Sequence, residues 1–226
     1  MIGVFDSGDG GLCTVETIRT LRPNADICFL ADRENAPYGT KTRGEIIALT
    51  KKNIRRLSEA GANKVLIACC TASSIYPELS AEEKRIAIPI IEPTAKEALR
   101  RSRTGKIGVI ATRATVLSGA FTKSVRSLRP TAEVYEESAQ ELVSLVESGA
   151  RDGALNGRTK EKIEKILSKI KRHRFDVIIL GCTHFSRLKN TISDIFCCDA
   201  VSSAEIGAEE VIGSSDTEGS GINVFL

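Results

Sequence analysis

Two stretches decide the fold: Val65-Leu66-Ile67-Ala68-Cys69-Cys70-Thr71 and Val177-Ile178-Ile179-Leu180-Gly181-Cys182-Thr183. Each is a continuous apolar run with a cysteine and a threonine close behind it. A short apolar run of this kind reads as a strand buried on both faces, the type found in parallel sheets. Upstream of each lies a shorter opening, Ile2-Gly3-Val4 or Ile107-Gly108-Val109, followed by a polar turn at Asp6-Ser7 or at Thr112. Two matches in the same order predict two related subdomains. Each would present a cysteine at the carboxyl end of a parallel strand, where open α/β sheets bind their ligands.

Outward from these runs, strands and helices alternate. In the first half, strands are expected at 2–5, 26–31, 64–68 and 86–91, the last closed by Pro93, with helices over 12–21 and 42–60. Thr42 and Glu45 form a capping-box pattern at the start of the second helix, and Gly61 ends it. In the second half, strands are expected at 106–110, 132–135 and 176–180, with helices over 115–128, 141–147 and 159–171. The run 213–221, rich in Gly and Ser, reads as a loop, and 222–226 as a final strand pairing with the first half. This alternation predicts an α/β fold with two pseudo-symmetric parallel-sheet subdomains.

The chain has 226 residues, of which 42% are hydrophobic and 27% charged, with a net charge of +3. That balance excludes a disordered tail and gives no general pull toward nucleic acid or membrane. Aromatic residues are only 4% and tryptophan is absent, which argues against base-stacking platforms. No apolar run approaches the roughly 20 residues of a membrane span, and the N-terminus lacks the pattern of a signal peptide. Seven cysteines without a disulfide spacing predict free thiols in a reducing cytoplasm. The pairs Cys69-Cys70 and Cys197-Cys198 fit no zinc spacing, so no metal is expected. Gly8-Asp9-Gly10-Gly11 lacks the lysine of a phosphate loop, and Asp9 would repel phosphate. It reads as close backbone approach around a small ligand. The basic stretch 158–174, with His173, reads as a solvated face.

Two thiols at equivalent places in a pseudo-symmetric pair can face each other across a cleft. A substrate held between them would meet one sulfur on each face. That suits removal of a proton from one side of a carbon and delivery to the other, which is racemisation. A thiol, with an ordinary pKa of about 8.5, is a workable acid and base. The plainer reading of Cys69 and Cys182 is two buried cysteines closing strands, and the repeated Cys-Thr step weighs against it. Thr71 and Thr183 would offer hydroxyls to a carboxylate or simply cap helices. His184 could shuttle a proton. Asp6 is a candidate to activate Cys69, or a turn residue, and Glu147 a candidate for the matching part near Cys182.

Four motifs occur in one order: Phe5-Asp6-Ser7-Gly8-x-Gly10-Gly11-Leu12, Ala36-Pro37-Tyr38-Gly39, Ala68-Cys69-x-Thr71-Ala72-Ser73 and Leu180-Gly181-Cys182-Thr183-His184. Together they resemble the glutamate racemases of the aspartate/glutamate racemase superfamily, over most of the chain. The resemblance implies a cofactor-independent isomerase that interconverts L- and D-glutamate for bacterial peptidoglycan, with no pyridoxal phosphate. It implies a cytoplasmic protein whose partner is the small substrate, without nucleic acid or membrane, and with a homodimer as one arrangement. Carried over by position, Cys69 and Cys182 are the catalytic thiols, assisted by Asp6, Glu147 and His184. Asp6, Ser7, Pro37, Tyr38, Gly39, Cys70, Thr71, Thr115, Thr183 and His184 match substrate-binding positions. Cys70 stands where the family usually has Asn. The family fold implies one subdomain from 1–95 with 205–226 and another from 96–204, with the site in the cleft between them. Alternatives are a racemase of another amino acid such as aspartate, an enzyme that uses one cysteine alone, or a racemase-like protein kept for binding or regulation.

Overall fold

The computed structural model describes residues 1–215 and 219–226. The first half comprises β1 (Ile2–Asp6), α1 (Leu12–Leu21), β2 (Ile27–Ala31), α2 (Arg43–Glu59), β3 (Lys64–Ile67), α3 (Cys70–Ser73), α4 (Ala81–Ile86) and β4 (Ala87–Pro89). Next come α5 (Ile91–Arg101), β5 (Lys106–Ala111), α6 (Arg113–Ser118), α7 (Ala120–Leu128), β6 (Glu133–Ser138), α8 (Gln140–Glu147) and α9 (Gly157–Ile166). The remainder holds β7 (Val177–Gly181), α10 (Lys189–Phe196), β8 (Asp199–Ser202), α11 (Ser203–Gly213) and β9 (Asn223–Phe225). Among the described residues these strands form two sheets, ordered β4-β3-β1-β2-β9 and β6-β5-β7-β8. Every pairing within them is parallel. The two-sheet α/β architecture expected from the repeated apolar runs is therefore present.

The inner strands β1, β3, β5 and β7 are buried on both faces, which explains why they read as unbroken apolar runs. In the first sheet, Phe5, Val65 and Ile67 pack toward Ile46, Ile54 and Leu57 of α2. Ile2, Val4, Leu66 and Ile27 pack on the other side with Val15 and Ile18 of α1 and Ala208 and Val211 of α11. In the second sheet, Ile178 and Leu180 meet Leu142 of α8 and Ile163 of α9. Ile107, Val109 and Ile179 meet Ala95 and Ala98 of α5 and Phe121 and Val125 of α7. Each such fully buried aliphatic side chain contributes about 1.5–3 kcal/mol. The chain thus passes to the second sheet at α5 and returns to the first with α11 and β9. The expected terminal strand pairs with β2, as Ile27↔Asn223 through Phe29↔Phe225.

Local signals account for most boundaries. Thr42 caps α2 with the full reciprocal box to Glu45, and Gly61 follows with φ +92°. Elsewhere the structure departs from expectation. Pro93 does not close a strand but lies in the first turn of α5, where its missing N–H has no partner to lose. The helix expected over 115–128 is two helices, because Gly119 adopts φ +60° and ends α6. β6 runs on to Ser138. Helix α9 stops at Ile166, and a 3-10 turn follows at Ile170–Arg172. Of the loop expected over 213–221, Gly213 belongs to α11 and 216–218 lie outside the described residues. No helix among the described residues is long and apolar enough to cross a membrane.

Parallel pairing fixes where the chemistry goes. All carboxyl ends of one sheet lie along one edge, so β1 and β3 deliver Asp6 and Cys69 side by side, and β5 and β7 deliver Thr112 and Cys182. Close packing at this edge demands small residues. A Cβ on Gly181 would lie 2.8 Å from the Phe121 ring and 3.1 Å from the Ile110 carbonyl oxygen. Gly181→Ala is expected to cost about 1–3 kcal/mol through overpacking, measured as a lower urea midpoint. An unchanged midpoint would mean that the strand end is loosely packed.

Candidate active site

The carboxyl edges of the two sheets meet around a cavity of about 430 Å³, its mouth included. Cys69 enters from the first sheet as the residue before α3, and Cys182 from the second as the residue after β7. Both line the cavity and both are buried. Cys69 Sγ lies 3.2 Å from Ser7 Oγ. Burial pushes its thiol up to about 11, the nearby Asp6 carboxylate adds to this, and the Ser7 hydrogen bond opposes it. Burial raises the Cys182 thiol well above the usual range, and the backbone N–H of His184 works against it. Both sulfurs therefore rest as neutral thiols near neutral pH.

Behind Cys69, Asp6 has no exposed surface. Its carboxylate accepts the Gly8 N–H at 3.0 Å and the Thr183 hydroxyl at 3.0 Å. Burial still raises its pKa, while His184 and these hydrogen bonds lower it. The Thr183 bond ties the second half to the first at the floor of the cavity. Beside Cys182, His184 Nδ1 is 3.7 Å from the sulfur. Its Nε2 is 3.4 Å from Glu147 Oε1. The pair lacks hydrogen-bond alignment, so Nε2 is buried without a hydrogen-bond partner. Gly10 explains the glycine-rich turn: a Cβ there would collide with Thr183 Oγ1 and His184 Nδ1. The turn thus serves close approach of the two halves at Gly10, where the sequence pointed to close approach around a small ligand; Gly8 lines the cavity, and Gly10 and Gly11 do not.

Of the remaining expected residues, Ser7, Pro37, Tyr38 and Gly39 line the cavity from the first half. Cys70, Thr71, Thr183, His184 and Glu147 also line it. Thr115 and Asp6 stand behind the wall rather than in it. Thr71, Thr112 and Thr115 form a buried triangle of hydroxyls with Oγ···Oγ distances of 2.8, 3.1 and 2.9 Å, linking the two halves. Thr115 thus supports Thr71 and Thr112, and Asp6 supports the Cys69 side. Among the described residues no cluster of three or more His, Cys, Asp or Glu side chains is arranged to hold a metal ion.

A profile of the Asp/Glu/Hydantoin racemases matches residues 15–211. The chain belongs to this family. A glutamate racemase of Aquifex aeolicus is 36% identical over 222 residues, covering 97% of this chain and 85% of that protein. A glutamate racemase isoform of Bacillus anthracis superposes with a TM-score of 0.88 at 27% identity, over 100% of this chain and 86% of the other. The glutamate racemase of Francisella tularensis, solved with D-glutamate, gives a TM-score of 0.88 at 28% identity, over 99% of this chain and 86% of the other. The protein is an isomerase of the amino-acid racemase class.

At and near the cavity of this racemase stand residues that the sequence did not single out. Gln140, the first residue of α8, lines the cavity and lies so close to Gly39 that a Cβ there would collide with its side chain. Asp32 is buried and accepts hydrogen bonds from Tyr38 Oη at 2.5 Å, Asn53 Nδ2 at 2.9 Å and Asn35 Nδ2 at 2.8 Å. Burial pushes its carboxyl up, and the three hydrogen bonds outweigh that, leaving it below the ordinary range. This network anchors the Pro37-Tyr38-Gly39 turn at the mouth. An unpaired cue, a lone Asp after an apolar strand, was the only sequence signal for Asp32.

Two outcomes follow from this geometry. A thiol near 11 is about one part in a thousand thiolate at pH 8. Alkylation of Cys69 by iodoacetamide should therefore quicken about tenfold per pH unit from pH 7 to about pH 10, measured by peptide mass spectrometry. A plateau near pH 8 would contradict the raised value. Tyr38→Phe should cost about 1–2 kcal/mol at neutral pH by stripping a donor from buried Asp32. A depressed carboxyl stabilises above its unfolded pKa and loses that contribution as pH falls through its folded value. The difference between variant and wild type should thus shrink on acidification, and a constant difference would disprove the role of the ionised Asp32.

Proposed function

We propose that the chain interconverts L- and D-glutamate with no cofactor, one of Cys69 and Cys182 removing the α-proton and the other delivering a proton to the opposite face of the α-carbon. The observation that carries this is the arrival of the two thiols in one cavity from the ends of equivalent strands in two sheets. The names of the relatives support glutamate as the substrate. D-glutamate made in this way would supply peptidoglycan in a bacterial cytoplasm.

Each turnover starts with one sulfur as thiolate and the other as thiol. Burial favours the thiol in both, so a neighbour must take one proton first. Asp6 stands on the Cys69 side, held as an acceptor by Gly8 and Thr183. His184 stands on the Cys182 side, 3.7 Å from the sulfur, with Glu147 beside its outer nitrogen. The thiolate removes the α-proton and becomes a thiol. The opposite thiol delivers its own proton to the other face and becomes the thiolate. One proton leaves and one arrives, the carbon is inverted, and the roles of the cysteines exchange. Ser7 and Thr71 present hydroxyls that bind the substrate carboxylates, while Thr183, whose hydroxyl is given to Asp6, bounds the substrate from the second half, and desolvation in the small cavity strengthens those bonds. Pro37, Tyr38 and Gly39 bound the substrate from the mouth.

Incubation with L-glutamate in deuterated water tests this. Wild type should lose circular-dichroism signal and gain α-deuterium, and either Cys69→Ser or Cys182→Ser should slow racemisation by about 10²–10⁴-fold. Racemisation that survives in either variant would leave a one-cysteine enzyme. Exchange of aspartate but not glutamate would reassign the substrate.

A further inference from the structure

Cys70 follows Cys69 in the chain, but its sulfur faces other partners. Its thiol donates to Ser203 Oγ at 3.3 Å, and Ser203 Oγ donates to the carbonyl oxygen of Leu180 at 2.8 Å. Cys70 and Ser203 are both buried, as is Leu180. Cys70 opens α3, directly after Cys69, whereas Leu180 lies on β7, two residues before Cys182. Ser203 opens α11, the helix that returns the chain to the first sheet. A chain of two hydrogen bonds thus joins the neighbour of one site thiol to the strand that carries the other.

This arrangement uses every hydrogen these side chains can donate. A thiol and a hydroxyl each have one, and both already have acceptors. Cys70 lines the cavity but has no donor left for a carboxylate there. Burial raises the Cys70 thiol, so its hydrogen stays in place at neutral pH. The residue is built into the wall rather than turned toward a ligand.

We propose that Cys70 and Ser203 are positioning residues that brace Cys69 and Cys182 against each other for the two-thiol reaction. The inference rests on that reading of the site. Two sulfurs that act on opposite faces of one carbon must keep a fixed separation, and displacement by about 1 Å can cost about 100-fold in rate. A thiol is a weak donor, so the brace governs placement far more than overall stability.

The test compares wild type with Cys70→Ala, Cys70→Ser, Ser203→Ala and the double variant Cys70→Ala/Ser203→Ala. Racemisation is followed in both directions. The alkylation rate of Cys182 is followed separately, on its own tryptic peptide. Cys70→Ala and Ser203→Ala should each lower kcat about tenfold while KM stays within about twofold. Cys70→Ser, which keeps a donor, should recover most of the loss. The double variant should be no worse than the worse single one, because both cut one chain. Cys182 should be alkylated faster in the two alanine variants than in wild type or Cys70→Ser. A raised KM with kcat intact would make Cys70 a substrate contact and overturn the proposal. Additive losses, or an unchanged Cys182 rate, would overturn it as well. If wild type racemises nothing while Cys182 still responds as stated, the racemase reading falls and the brace stands. Ser203→Ala, a small change, keeps the test open should Cys70→Ala fail to fold.

Discussion

A carboxylate with no exposed surface, Asp6, accepts a hydroxyl hydrogen bond from Thr183 on the other sheet. The rest of the site depends on this bond. A buried carboxylate is costly unless its oxygens are satisfied, and here one oxygen is satisfied within its own turn and the other only by the opposite half. Drawing the halves together gives Asp6 its partner and brings Cys69 and Cys182 to one cavity. It also buries both sulfurs. The raised thiols, the hydroxyl triangle of Thr71, Thr112 and Thr115, and the glycine at position 10 are each consequences of that close approach.

The approach sets opposing demands on the two halves. Strand ends must be rigid enough to place a sulfur, so Gly181 sits where any Cβ would strike the Phe121 ring. The mouth must still admit a ligand, and there the contacts are polar and few, with Gln140 against Gly39. The Asp32–Tyr38–Asn53 network resolves this by fixing the turn from beneath while leaving its outer side to the cavity. Rigidity is thus supplied from within each half, and the hydrogen bonds that cross between the halves at the site include those of the Thr71 and Thr183 hydroxyls.

How much of this was legible in the sequence follows from the range over which each interaction acts. Val65–Ile67 and Val177–Leu180 announce themselves because strands buried on both faces must be apolar at every position, and the cysteines behind them inherit their place. Thr42 and Glu45 are equally plain, since a capping box is complete within four residues. By contrast, β8 has only Asp199–Ser202 and no alternation to betray it. Pro93 looked like a strand stop because proline is tolerated in a first helical turn as readily as after a strand. Asp32, Asn53 and Gln140 gain their roles from partners in other elements. The direction of the Cys70 thiol depends on Ser203, 133 residues away, which no local pattern encodes.

The path of the chain has a consequence for how the molecule assembles. β9 completes the first sheet at β2, and Asp26 accepts the Ile222 N–H across a separation of 196 residues. Arg19 reaches the same strand at the Ile222 carbonyl and the Asn223 side chain. During synthesis the whole second sheet emerges before that edge can close. The second half is therefore free to fold as a unit while the first still offers an open β2 edge, and loop closure over so long a span is slow. An open strand edge invites pairing with another chain, so the interval between the emergence of β8 and the docking of β9 is when a nascent molecule is most exposed to misassociation.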